Sequence, residues 1–146
     1  MKDFSWWSGL TIRDARDALN LIKSKLNQST HDGKTYWFFD YIKVKTPKSP
    51  SALLLSIYDE YTIAYKDRGD ISEARDIERM ISMGNALNAV IILDGKVAGT
   101  WNKSLKRNRV EIRLNPFRKF SKDEQEAVES EVNRYSEFVG ISAVLI

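Results

Sequence analysis

The sequence predicts an α+β protein in which two helices and a hairpin precede a mostly antiparallel β-rich region with a long C-terminal helix. Two Asp-Gly pairs, Asp32-Gly33 and Asp94-Gly95, each stand between two β-type runs. An Asp-Gly pair favours a tight hairpin, because both central residues of a type I′ turn need positive φ. The pattern Ser121 to Glu124 is a helix capping box ahead of an amphipathic stretch.

Composition limits the classes of function. The 146 residues suffice for one ordinary domain, or for a small subdomain and a larger one. A net charge of +3 is mildly basic and compatible with nucleic acid. The absence of cysteine excludes thiolate catalysis and Cys-ligated zinc, and the single histidine excludes a multi-histidine metal site. We therefore expect no cofactor and no metal.

The expected location is the cytoplasm. No apolar run approaches the roughly 18 residues of a membrane span. No signal peptide precedes Phe4. We therefore expect no membrane partner.

Two helices are predicted before the first hairpin. Asp3 is expected to cap a short helix that Gly9 ends, and Thr11 to cap a second helix. Apolar residues of the second helix recur at helical spacing and predict one buried face: Ile12, Ala15, Leu19, Ile22 and Leu26.

A polar and cationic row follows another side of the second helix: Arg13, Arg16, Asn20 and Lys23. Such a row can lie against phosphates or in a major groove. The alternative is an ordinary solvated helix face.

Helix, helix and hairpin are the latter part of a winged helix, in which the second helix reads DNA and the hairpin is the wing. His31 and Lys34 then lie at the tip of the wing. The first helix and first strand of that motif are missing, so we predict a partial winged-helix subdomain over residues 1–42. The segment 43–51 contains prolines, serines and lysines and predicts a linker. A β-rich domain is expected over residues 52–146.

The segment 53–66 predicts a β-rich run containing an acidic residue. On a straight strand Asp59 shares a face with apolar side chains, where an unpaired carboxylate is costly. Either the strand breaks at Asp59-Glu60, or Asp59 meets an arginine. We predict that Asp59 is buried and bonded to an arginine or to backbone amides. Beyond this run, Ser72 is expected to cap a helix that reaches Met83 and stops at Gly84.

Residues 88–117 predict a three-stranded antiparallel meander with Trp101 near its middle. The loop after Trp101 is strongly basic: Lys103, Lys106, Arg107 and Arg109. The last helix is expected to end at Gly140, with acidic residues outward and these residues inward: Ala127, Val128, Val132, Tyr135 and Phe138. A short terminal strand over 143–146 should join the sheet.

Four motifs resemble the C-terminal half of a bacterial family of winged-helix DNA-binding-domain proteins. That family is related to the DNA glycosylases that act on alkylated and crosslinked bases. The motifs occur in the family's order and cover most of the chain: Phe4–Leu10, Asp32–Trp37, Tyr58–Tyr61 with Tyr65–Arg68, and Asp94–Trp101. The resemblance implies tandem winged helices before a β-rich domain, and it makes the second helix here a recognition helix.

The chain departs from the glycosylase branch of that family. The branch carries a Gln-x-Gln or Gln-x-Asp catalytic motif in its N-terminal half. The two glutamines here, Gln28 and Gln125, stand in Gln-Ser-Thr and Gln-Glu-Ala. We therefore expect no catalytic residues of that type and no base excision by this chain.

Three functions remain open at this point. The first is a non-enzymatic module that binds double-stranded DNA weakly, through the helix row, His31 and Lys34, and the basic loop. The second is a protein-interaction or scaffold domain, with a second copy or a separate N-terminal half as its partner, because Trp6 and Trp7 need a surface to pack on. The third is an enzyme that uses Asp59, Glu60 and Asp67.

Overall fold

A computed structural model of the chain describes residues 1–39, 48–82 and 89–146. The described residues form two compact units. The first contains residues 1–39 with Ala64–Lys66, and the second contains Lys48–Ile63 and the described residues from Asp67 onward. Most of the predicted linker lies outside the described residues, as do Met83 and Gly84.

The first unit begins with two helices. Helix α1 spans Lys2–Ser8 and ends at Gly9, as expected. Helix α2 spans Ile12–Ile22 and continues as a 3₁₀ turn over Lys23–Lys25. The Thr11 hydroxyl accepts the backbone N–H of Asp14, which confirms the predicted cap.

Two predictions for these helices are wrong. Asp3 lies inside the first turn of α1, and its Oδ1 accepts the backbone N–H of Lys66 at 3.0 Å. The expected apolar face of α2 is buried only at Ala15, while Ile12 and Ile22 are exposed. Helical spacing identifies an apolar face but does not supply an element to cover it.

The hairpin of the first unit is antiparallel. Strand β1 spans Asn27–His31 and strand β2 spans Lys34–Phe38. The turn residues Asp32 and Gly33 have φ values of 47° and 73°. Positive φ at both positions is the type I′ geometry that the Asp-Gly pair predicts.

The second unit is built on one sheet with the order β3-β4-β5-β6-β7. The strands are β3 Ala52–Leu55, β4 Val90–Leu93, β5 Lys96–Leu105, β6 Arg109–Pro116 and β7 Ser142–Leu145. Neighbouring strands are antiparallel except for β6 and β7, which are parallel. The predicted meander is therefore confirmed as β4-β5-β6, with Trp101 in its central strand.

Helix α5 spans Lys122–Val139 and joins β6 to β7. Both halves of the predicted capping box form, and the helix ends at Gly140. Val128 and Val132 are buried, as expected, but Phe138 is 86% exposed. The acidic residues do not all face outward, because Glu131 is buried.

Both faces of the sheet carry a core. One cluster joins Ile91, Trp101 and Ile112 to Val128 and Val132 of α5. The other contains Val90, Ile92 and Val97, and includes the partly buried Ile77, Leu55 and Phe117. Ile77 belongs to helix α4, which spans Ala74–Ser82.

The segment after β3 differs from a continuous strand. A four-residue helix, α3, spans Glu60–Ile63. Asp59 is half-buried before it, and its Oδ1 accepts the backbone N–H of Tyr61 at 2.9 Å. The strand therefore breaks before Asp59. The carboxylate is bonded to a backbone amide, but the predicted burial is wrong, because Asp59 precedes a short helix and is only half-buried.

The expected cap of α4 does not form as predicted. The helix begins at Ala74, after Glu73. The Ser72 hydroxyl donates to the Glu73 carbonyl instead of accepting an N–H from the first turn.

Candidate nucleic-acid interface

The polar row of helix α2 is exposed. Arg13, Arg16 and Asn20 lie on α2, and their spacing places them within roughly 60° of arc. Within the described part of the chain, no carboxylate lies within 4.0 Å of either arginine. The two guanidinium groups are therefore available to an anionic ligand.

Lys23 has a second role. Its Nζ lies 5.0 Å from the centroid of the Trp37 ring. A cation at this distance is attracted by the negative face of the ring. The contact connects the end of the polar row to strand β2.

The tip of the hairpin carries the two predicted wing residues. His31 and Lys34 are directly opposite each other across the hairpin. The Nε2 atom of His31 lies 3.5 Å from the Asp32 carboxylate, and both side chains are largely exposed. The neighbouring carboxylate reduces the positive field that this tip presents.

The basic segment after Trp101 is not a long loop. Residues up to Leu105 belong to β5, and β6 begins at Arg109. Lys103 Nζ donates to the Tyr135 hydroxyl at 2.8 Å. Arg107 is exposed between the two strands.

Glu111 neutralises part of this basic segment. Arg109 lies 2.6 Å and Lys106 Nζ lies 3.6 Å from its carboxylate oxygens. The hydrogen bond from Arg109 is the main reason that the pKa of Glu111 is lowered. Of the four predicted cations, two are therefore paired with Glu111, which the strand alternation places on the same face as Arg109.

Two of the three carboxylates of the enzyme hypothesis bond nearby backbone N–H groups. Asp59 accepts the N–H of Tyr61, and Asp67 accepts the N–H of Gly69 at 3.0 Å. Each bond joins a side chain to the backbone two residues later, which is typical of turns. Among the residues that the structure describes, no group of three or more His, Cys, Asp or Glu could hold a metal ion.

Trp101 is buried in the core of the second unit. Its indole N–H donates to the Leu55 carbonyl at 2.8 Å, and its ring meets Tyr135 edge-on at 5.8 Å. The bond ties the edge strand β3 to the centre of the sheet.

Sequence reasoning missed an aromatic pair on the hairpin. Tyr36 and Phe38 occupy alternate positions of β2 and are 38% and 45% exposed. The period-2 alternation of the run Thr35–Phe39 was the available signal.

Comparison with known proteins places the chain in a family. A family model described as "DNA glycosylase AlkZ-like" matches residues 1–138, so the chain belongs to the AlkZ-like family. A solved structure, Streptomyces sahachiroi DNA glycosylase AlkZ, matches with a TM-score of 0.69 and 17% sequence identity. The match covers 99% of this chain and 41% of that one, so the chain spans about two fifths of the relative.

At this identity the structural match demonstrates a shared fold. A search of curated proteins finds no match. In the three described stretches of the chain, no helix has the length and apolar character needed to cross a membrane.

Proposed function

We propose that this chain is a DNA-associated module that binds duplex DNA weakly, mainly through the phosphate backbone, and does not excise bases by itself. Membership of the AlkZ-like family supports the association with DNA. We also propose two domains, a partial winged helix over residues 1–42 and a β-rich domain over 52–146. The two compact units of the described residues support this division.

The observation that carries the proposal is the exposed pair Arg13 and Arg16 on a capped helix. Two guanidinium groups on one side of a helix can neutralise two phosphates and release their counterions. Asn20 and Lys23 continue this polar row, and His31 and Lys34 at the hairpin tip are further proposed contacts within the first unit. Contacts of this kind position a protein on DNA but carry little sequence information.

The basic end of the β5–β6 hairpin is the second proposed contact. Arg107 is exposed there, whereas Lys106 and Arg109 share Glu111. A phosphate must compete with that carboxylate, so this hairpin contributes less than its four cations suggest. We therefore propose three or four neutralised phosphates in total.

A salt titration of duplex binding tests the proposal. We expect a dissociation constant of around 10⁻⁴ to 10⁻⁶ M at physiological salt and a slope of log affinity on log salt of roughly −3 to −4. Arg13→Ala with Arg16→Ala should reduce the slope by about 2 and weaken all sequences alike.

A matched control removes the same charge elsewhere. Arg75 is paired with Glu73, and Lys122 with Glu126, in the second unit. Arg75→Ala with Lys122→Ala should leave the slope near that of the parent. If both double variants behave alike, or the parent shows no salt-sensitive binding at about 50 mM salt, the DNA proposal is wrong.

A second candidate function is a protein-interaction domain. Trp6 and Trp7 are 56% and 59% exposed on α1, which favours a protein partner. This function becomes the better one if duplex DNA does not bind.

A further inference from the structure

The β1–β2 hairpin has two faces of different character. Residues directly opposite each other on antiparallel strands share a face. One face carries the pairs Gln28–Trp37 and Thr30–Thr35. The other, which we call the aromatic face, carries three pairs: Asn27–Phe38, Ser29–Tyr36 and His31–Lys34.

The face that carries Trp37 contacts Lys23, at the end of α2 in the same unit. Trp37 is half-buried, and Lys23 lies over its ring. On the aromatic face, Tyr36 and Phe38 keep 38% and 45% of their surface exposed. Both side chains are therefore partly exposed to solvent on this face.

The spacing of the two rings fits extended nucleic acid. Residues two apart on a strand are separated by roughly 6.8 Å. Stacked bases within a duplex rise by about 3.4 Å per strand, so the rings match successive bases of a stretched single strand. Sheet-borne aromatic side chains stack unpaired bases in this manner in other nucleic-acid modules.

The polar residues of the aromatic face also favour nucleic acid. Asn27 and Ser29 stand opposite the rings, where they can hydrogen-bond base edges. Lys34 and His31 stand at the tip, where they can meet phosphates. None of the six side chains of this face is acidic. The Asp32 carboxylate lies 3.5 Å from His31 at the turn, so the positive charge of this face is carried mainly by Lys34.

We propose that the aromatic face binds single-stranded DNA, with two successive unpaired bases stacked on Tyr36 and Phe38 and the backbone held near Lys34. This inference rests on the proposed DNA function and adds to it a substrate class. Paired bases in an intact duplex are already stacked and cannot reach the rings. The chain would therefore carry one surface for duplex phosphates, on α2, and another for opened strands, on the hairpin.

The test compares two probes on the full chain. A labelled ten-nucleotide oligothymidine and a labelled duplex are titrated by fluorescence anisotropy at about 50 mM salt. Tyr36→Leu with Phe38→Leu keeps apolar bulk but removes the rings. We expect oligothymidine affinity to fall about 30-fold or more, because each stacked base is worth ~1–3 kcal/mol, and duplex affinity to stay within about twofold.

The control removes two exposed rings elsewhere in the same unit. Phe4→Leu with Trp6→Leu should leave the affinity for both probes unchanged under this proposal. Retained duplex binding by the hairpin variant shows that it is folded. If it binds oligothymidine as the parent does, the aromatic face serves another ligand, such as a protein, and the proposal is overturned.

The proposed stacking site and the proposed duplex binding can be refuted separately. If Tyr36→Leu with Phe38→Leu leaves the affinity for oligothymidine unchanged, while Arg13→Ala with Arg16→Ala still weakens duplex binding, only the stacking site is refuted. Absence of salt-sensitive binding to both probes overturns the DNA function as well. Photocrosslinking of the parent to a 5-iodouracil oligonucleotide provides an independent readout: crosslinks should map to Tyr36 or Phe38, and crosslinks confined to other residues would contradict the site.

Discussion

Glu131 is buried on α5 between the helix and the edge of the sheet. Its Oε1 accepts the Leu54 backbone N–H at 3.4 Å, and both carboxylate oxygens bond Arg134 at 2.6 and 2.7 Å. An edge strand has backbone groups that no neighbouring strand pairs. The Glu131 carboxylate accepts one of them, the Leu54 N–H. Glu131 therefore connects α5 to β3 through a polar contact within an apolar core.

We expect Glu131→Ala to lower the free energy of unfolding by about 1–3 kcal/mol. The substitution leaves the partly buried Leu54 N–H without its acceptor, while Arg134 is exposed and can be solvated. Urea unfolding measures the change. Glu129→Ala on the exposed side of the same helix should stay within about 0.5 kcal/mol, and equal effects of the two substitutions would contradict this role.

At the scale of elements, Glu124 stabilises the start of α5 by bonding both an arginine side chain and a backbone N–H. Arg118 makes two bonds to the Glu124 carboxylate, and the Ser121 N–H makes a third. The Arg118 bonds, followed by the Ser121 bond, lower the pKa of Glu124 from 4.5 to about 2. The folded state therefore favours the ionised form.

The lowered pKa of Glu124 determines how the stability of the protein depends on pH. Stability from Glu124 is fully present above pH 4.5 and is lost as the pH falls toward about 2. Glu124→Gln should cost on the order of 1 kcal/mol at pH 7, the usual scale of a helix cap. Urea unfolding of both proteins across this range should show the difference shrinking at low pH, and a difference independent of pH would contradict the assignment.

The pairing of β5 with β6 depends on one glycine. A Cβ at Gly99 would lie 2.7 Å from the Asn115 carbonyl oxygen and 2.8 Å from the Pro116 Cα. Both are backbone atoms of the neighbouring strand, so the sheet itself would have to move. This close approach explains the glycine in the middle of a buried strand.

We expect Gly99→Ala to destabilise the protein by about 1–3 kcal/mol or more, the usual cost of overpacking. Gly69→Ala is the control, because the contact there is with the side-chain oxygen of Asp67 at 3.1 Å. Denaturant midpoints of the two variants give the comparison. A Gly99 variant as stable as the parent would show that β6 can shift without cost.

At the scale of the whole molecule, we predict that the chain alone does not excise bases. Its two glutamines lie in β1 and α5, outside any Gln-x-Gln or Gln-x-Asp motif. Gln125 Nε2 donates to the Phe120 carbonyl at 3.1 Å, a bond at the start of α5. Incubation with alkylated duplex DNA, followed by cleavage of abasic sites, should give strand scission at background. Abasic sites above background would refute the prediction.

The sequence by itself determined the features that depend on neighbours along the chain. Positive φ at Asp32-Gly33 and Asp94-Gly95, the caps at Thr11 and Ser121, and the meander all follow from such signals. Each depends on residues within a few positions, because turns and caps form between adjacent segments. These signals were sufficient for the α+β class and for the order of most elements.

The tertiary structure decided which side chains are covered and which charges meet. Phe138 and Glu131 belong to the same helix, yet the phenylalanine is exposed and the glutamate is buried. Glu111 draws Arg109 and Lys106 into ion pairs and so removes part of a basic surface. Burial depends on elements distant in sequence, so helical spacing could not specify it. The Arg109–Glu111 pair, by contrast, joins residues two apart on β6, which a strand places on one face.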